Sequence, residues 1–267
     1  MRSHLHSVRM HLRCTSQELK ALVITSVFAT SFVGFRSLNG FSDVLSPPMN
    51  LLVLFPVFFS LLFLSVMAQK YVGVCKGYAV TYRFFASGIA LGFLIFIISG
   101  TFLPLFFPGY LRFELIRNLR MGVFRPRIKQ YEMALIGAAG PLFALLLNTL
   151  VLGPLALSSE GGVALFFREL GIFNAFLIIF SFLPVPVFHV VRFFVFRELA
   201  TDKMEMEEGT IGFSVLFASR AFYVFCVIVA LVHGLLIAFG GYWSFWAAVL
   251  LGFAVAYVYR RAYELAR

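Results

Sequence analysis

Long apolar runs separated by short polar stretches organise this chain. The first run is Ala21 to Phe35, and Thr15-Ser16-Gln17-Glu18 ahead of it has the form of a capping box that opens a helix. Pro47-Pro48 punctuates a loop, and a second run extends from Asn50 to about Ala68. KYVGVCKGYAVTYRF then alternates small, aromatic and basic residues, which predicts a short strand or hairpin rather than a helix. Phe84–Leu105 is apolar but carries Gly88, Gly92, Gly100 and Pro104, and the basic stretch LRFELIRNLRMGVFRPRIKQYE follows. Three longer runs, Ala134–Leu157, Gly171–Phe196 and Ser214–Phe239, precede a last one at Tyr242–Tyr259.

Runs of about 20 apolar residues match a hydrocarbon core of about 30 Å. The composition agrees: 61% of the 267 residues are hydrophobic and 13% charged, where a soluble domain carries roughly a quarter charged residues. The expectation is an all-α, polytopic protein with the lipid bilayer as its solvent. The formal net charge of +10 would suit nucleic acid only if the basic residues shared one water-exposed face. They are scattered between apolar runs, so no nucleic-acid partner is expected.

Charge distribution selects a topology. If Phe84–Leu105 enters and leaves on one side as a re-entrant hairpin, six spans remain. Twenty of the 22 basic residues then fall on one side, with Arg36 and Arg168 on the other. That bias predicts six transmembrane helices in the cell membrane, with both termini cytoplasmic. The single membrane domain then divides into a cytoplasmic amphipathic tail (1–20), first spans with hairpin (21–105), a basic cytoplasmic segment (106–133), two spans (134–196), a cytoplasmic loop (197–213) and the last two spans (214–267). No cleavable signal peptide is expected. The three cysteines, Cys14, Cys75 and Cys226, form no CxxC or disulfide framework.

In this topology the second and fourth spans run parallel, closing on SVMAQK and LPVPVFHVVR. Together with Ala139-Gly140-Pro141, Asn174 and Leu183-Pro184-Val185-Pro186, taken in that order, the chain resembles the site-2 protease family of intramembrane zinc metalloproteases, its compact archaeal-type members above all. The resemblance implies a bundle with a small β element and a re-entrant hairpin, and a zinc ion held by HELAHK on one span and by an aspartate in LPxPPLDG on another. Here Ser65 and Gln69 stand at the two histidine positions, Val66 at the catalytic glutamate, and His189 at the aspartate. Ala144 stands where an asparagine is usual.

A metalloprotease needs its carboxylate base and three good zinc ligands, so no zinc and no other cofactor is expected. The resemblance thus points to a catalytically inactive pseudoprotease. Its broken helix at Pro184 and Pro186, with Asn174, would keep a groove between spans. Such a groove could bind transmembrane segments of client proteins or regulate a membrane protease. The enzyme alternatives are a zinc site with displaced ligands, or a Ser65–His189 dyad. The dyad lacks an orienting acid and an identifiable oxyanion hole. His189 otherwise reads as a neutral imidazole hydrogen-bonded in a remnant polar pocket, with Gln69 or Ser65 as partner.

The remaining candidates have plain readings. His4, His6 and His11 belong to a solvated tail, His233 is a packed or interfacial histidine, and Asp202–Glu208 is a solvated loop. Arg112–Lys129 anchors to lipid headgroups or docks a partner. The 35 phenylalanines read as lipid-facing bulk.

Overall fold

A computed structural model describes residues 12–37, 47–84, 86–99, 109–116, 130–184, 211–239 and 244–264. The capping box forms as the sequence predicts. Glu18 N–H donates to Thr15 Oγ1 at 3.3 Å and Thr15 N–H donates to Glu18 Oε2 at 2.8 Å, starting helix α1 (Ser16–Ser37). Inside the bundle, the Ser26 and Thr30 hydroxyls each donate at 2.7 Å to a carbonyl one turn back, so neither leaves a buried polar group unmet.

Helix α2 (Pro47–Cys75) is longer than the apolar run predicted. Pro47-Pro48 belongs to its first turn rather than to a loop, because first-turn N–H groups have no helical acceptor to lose. At the other end α2 continues past Ala68 to Cys75, so residues 70–75, the first part of the stretch read as strand or hairpin, are helical. Gly77, with φ 81°, supplies the left-handed residue that stops it. At 1.5 Å per residue α2 measures about 44 Å, well beyond a hydrocarbon core.

Strand β1 (Tyr78–Phe84) pairs antiparallel with β2 (Gly109–Leu115), Tyr78 opposite Leu115 and Phe84 opposite Gly109. The chain therefore leaves β1 and rejoins β2 at the same end of the sheet. Between them, α3 (Ala86–Ile98) has 13 residues, about 20 Å, too short to cross a bilayer alone. The small β element is thus present, and β2 lies partly on the basic stretch: Arg112 belongs to a strand, half-exposed, 3.3 Å from Glu114.

Helix α4 (Gln130–Leu147) passes through a π-helical turn (Asn148–Leu152) into α5 (Gly153–Ser158). Helix α6 (Gly161–Ser181) begins ten residues before the run read from sequence and ends well before Phe196. Arg168 and Glu169 had hidden its start. The Phe182 cap and Pro184, which has no N–H to continue the ladder, mark its end. The run at Ser214–Phe239 is two helices, α7 (Ile211–Ala218) and α8 (Arg220–Ala238), because the Ser219 side chain caps α8 by accepting from Phe222 N–H at 3.2 Å. Helix α9 (Ser244–Tyr259) ends in a second π-helical turn (Arg260–Glu264).

Among the described residues four helical segments are long and apolar enough to cross a membrane: Leu54–Cys75, Gln130–Ser158, Arg220–Ile237 and Phe245–Tyr263. Two large cores hold them. One joins α1, α2, α3 and α6 through Phe32, Phe58, Phe96 and Phe173, with the Phe32 and Phe96 rings edge-to-face at 4.9 Å. The other joins α4, α6, α7, α8 and α9 around Leu145, Ile178, Val229 and Ala248. Phe32, Phe58, Phe96, Phe173 and Phe182 are thus core residues, while Phe176, Phe217, Phe239 and Phe253 are exposed as lipid-facing bulk would be.

Candidate functional site

Ser65 and Gln69 lie one turn apart on α2 and face α4 across a very short gap. A methyl group placed on Gly140 would sit 2.6 Å from the Gln69 amide nitrogen and 2.7 Å from Ser65 Oγ. Only glycine permits that approach. One residue beyond it, Pro141 lacks the N–H that would normally bond to the Gly137 carbonyl four residues back. Gln69 Nε2 donates to that same oxygen at 2.9 Å. The glutamine thus meets a buried acceptor that the proline leaves unpaired, which explains a polar amide 4% exposed in an apolar bundle.

Val66 points elsewhere. Consecutive helical residues are about 100° apart, and Val66, 2% exposed, packs with Ala21, Leu22 and Tyr82. The position that the resemblance gives to a general base is a hydrophobic contact. The three described residues at the positions the resemblance assigns to zinc chemistry, Ser65, Val66 and Gln69, offer no good zinc ligand. Gln69 is engaged through its amide with Gly137, Ser65 is a neutral hydroxyl against Gly140, and Val66 has no donor atom. Among the described residues no three His, Cys, Asp or Glu side chains are grouped so as to hold a metal ion. Pro186 and His189 lie outside the described residues, and with them the geometry of a Ser65–His189 pair.

Asn174 is buried on α6 and donates to Asn148 Oδ1 at 2.7 Å, while Asn148 Nδ2 donates to the Gly171 carbonyl at 3.2 Å. This amide clamp joins α6 to the π-helical turn after α4. Eight residues separate Asn148 from Gly140, about 12 Å along the helix, so Asn174 is tied to a different level of α4 from the Ser65 and Gln69 contact. Asn148 also lies one turn beyond Ala144, which is buried in the core. Pro184 is exposed just past the end of α6. Of the expected groove residues, Asn174 is a helix clamp and Pro184 a helix stop.

The most heavily bonded polar group in this region went unnoticed as a site in the sequence. Besides its cap, the Glu18 carboxylate accepts from Lys70 Nζ at 2.8 Å and from Tyr82 N–H at 3.1 Å. Lys70 Nζ also donates to the Arg13 carbonyl at 3.0 Å. Both side chains are almost fully buried. Burial opposes the Glu18 charge, but the Lys70, Thr15 and Tyr82 donors outweigh it and hold the carboxyl below its usual pKa. Burial pushes the Tyr82 phenol up, partly offset by its hydrogen bond with Thr25, and pushes the Cys14 thiol up, with Glu18 adding to it.

Lys70, among the basic residues that the topology puts on the cytoplasmic side, is a buried counter-ion to Glu18. A second cross-link from the sheet joins the Tyr78 hydroxyl to Glu132 at the start of α4. The sequence signal for the Glu18 node was the capping box itself; nothing local named its partner. His233 is packed, as expected, its ring edge-on to Phe245 at 6.0 Å and fully buried.

Comparison of the chain with protein-family models, with curated proteins and with solved structures gives no match.

Proposed function

We propose that this chain is a non-catalytic membrane protein of six spans, built on a site-2-protease-like plan, that binds or regulates other membrane proteins. The observation that carries the reading is the close packing of Ser65 and Gln69 on Gly140. Positions that the resemblance assigns to zinc ligands serve helix packing and the repair of a proline gap. That use leaves neither an activated water nor a base beside it.

Helix α6, with 21 residues, and α1, from Ala21 to its end, are the two spans beyond the four already counted, which leaves Glu18 in the cytoplasmic first turn of α1. Helix α3, whose flanking strands β1 and β2 are paired, would form part of the re-entrant hairpin. With both termini cytoplasmic, the broken end of α6 at Pro184 faces the cytoplasmic side. There the exposed Leu183 and Pro184 offer a place for a client transmembrane segment.

The test is a cleavage assay with the purified chain in lipid vesicles and a panel of labelled single-span substrates, with and without added zinc. No cleavage, together with photo-crosslinking of a substrate from position 183, is the expected result. Cleavage lost on chelation would restore the metalloprotease, and cleavage lost in Ser65→Ala would establish the dyad. Either contradicts the proposal.

A further inference from the structure

The C-terminal end of α9 is a surface with a definite chemistry. Helix α9 is the most peripheral of the four spanning segments, with 11% of its apolar window buried inside the protein. Leu250, Phe253, Tyr257 and Val258 are all strongly exposed, so acyl chains have access to a broad face of the helix. Trp246 is exposed near one end and Tyr263 near the other, separated by about 25 Å of helix, the spacing of two aromatic belts at the edges of a hydrocarbon core.

Beside the tyrosine end stand Arg260 and Arg261, both exposed. Neither has an ion-pair partner among the described residues. Consecutive residues diverge by about 100° around a helix, so the two guanidinium groups can approach a bound anion from two sides. Tyr259 and Tyr263 stack at 5.2 Å, which stiffens the π-helical turn from which both arginines project. A guanidinium matches a phosphate diester through paired N–H donors, which a point charge does not.

We infer that Arg260 and Arg261, framed by Tyr257 and Tyr263, form a binding site for the headgroup of an anionic phospholipid. The inference rests on the membrane reading and goes beyond it, since a bilayer solvent alone implies no headgroup preference at this helix end. Each arginine near anionic lipid accounts for about fivefold in affinity, and the pair for about 25-fold.

The test is native mass spectrometry of the full chain in detergent, titrated with phosphatidylglycerol or phosphatidylcholine of identical acyl chains. The site predicts preferential phosphatidylglycerol adducts, a fall of about 25-fold in that preference for Arg260→Gln/Arg261→Gln, and a partial fall for Arg260→Lys/Arg261→Lys. Equal binding of both lipids, or an unchanged preference in the glutamine variant, overturns it. Alkaline carbonate extraction of membranes is the separate control. If the chain is extracted, the membrane reading fails; if it resists extraction yet shows no lipid preference, only this inference fails.

Discussion

Gln69 donates its side-chain amide to the backbone carbonyl of Gly137, the carbonyl that Pro141 leaves without a helical donor. Gln69→Ala strands that acceptor in the bundle and is expected to cost about 1–3 kcal/mol. In a Pro141→Ala background the helix can supply its own N–H, so the same substitution costs about 1 kcal/mol less. Thermal unfolding of the four proteins of this cycle in detergent checks the coupling; equal costs in both backgrounds contradict it.

Gly140 sets the separation of α2 and α4. Gly140→Ala forces a methyl group into Ser65 and Gln69 and is expected to destabilise by about 1–3 kcal/mol. In a Ser65→Ala/Gln69→Ala background, which lacks the clashing atoms, the same Gly140→Ala change is expected to cost less. Melting temperatures of the wild type, the Gly140→Ala variant, the double variant and the triple variant decide it; an equal cost of Gly140→Ala in both backgrounds would place the strain elsewhere.

The Glu18–Lys70 pair is costly to break from one side. Lys70→Met leaves a buried carboxylate and is expected to lose about 3–5 kcal/mol, whereas Glu18→Gln/Lys70→Met loses much less. Denaturation in a mild detergent series compares them, and equal losses in the single and double variants would mean that the pair is not buried as described.

The same carboxylate gives a pH dependence. Its folded pKa is lowered, so its stabilising contribution is complete above the ordinary carboxylate value of about 4.3 and is lost as pH falls through the lower folded value. Wild-type stability should therefore drop more steeply below about pH 4 than that of Glu18→Gln. Parallel melting curves from pH 6 to the acid limit, at about half-unit steps, read this out. Superimposable pH profiles would contradict it.

Local signals were legible in the sequence where local chemistry decides the outcome. The Thr15–Glu18 box forms as written, the β element appears at Tyr78–Phe84, and α6 stops before Pro184. Helix limits shifted where a residue plays two parts. Pro47-Pro48 reads as a loop but suits a first turn, and Ser219 sits in an apolar run yet caps a helix. Long-range partners were not legible. Lys70 lies 52 residues from Glu18 and Gln69 lies 68 from Gly137, and only the folded packing brings them together. The prolines gave half of the second answer, since an interior proline always leaves a carbonyl to satisfy. Which side chain reaches it depends on the register of α2 against α4.

The central proposal is that Ser65 and Gln69, at positions the resemblance assigns to zinc ligands, pack α2 against α4 and hold no metal. The most direct measurement is the zinc content of the detergent-purified chain, determined by elemental mass spectrometry after a mild chelator wash. The account predicts zinc far below one ion per chain, unchanged in Gln69→Ala. Near-stoichiometric zinc that survives the wash would contradict it and would mean that a metal site is built from other residues of the chain.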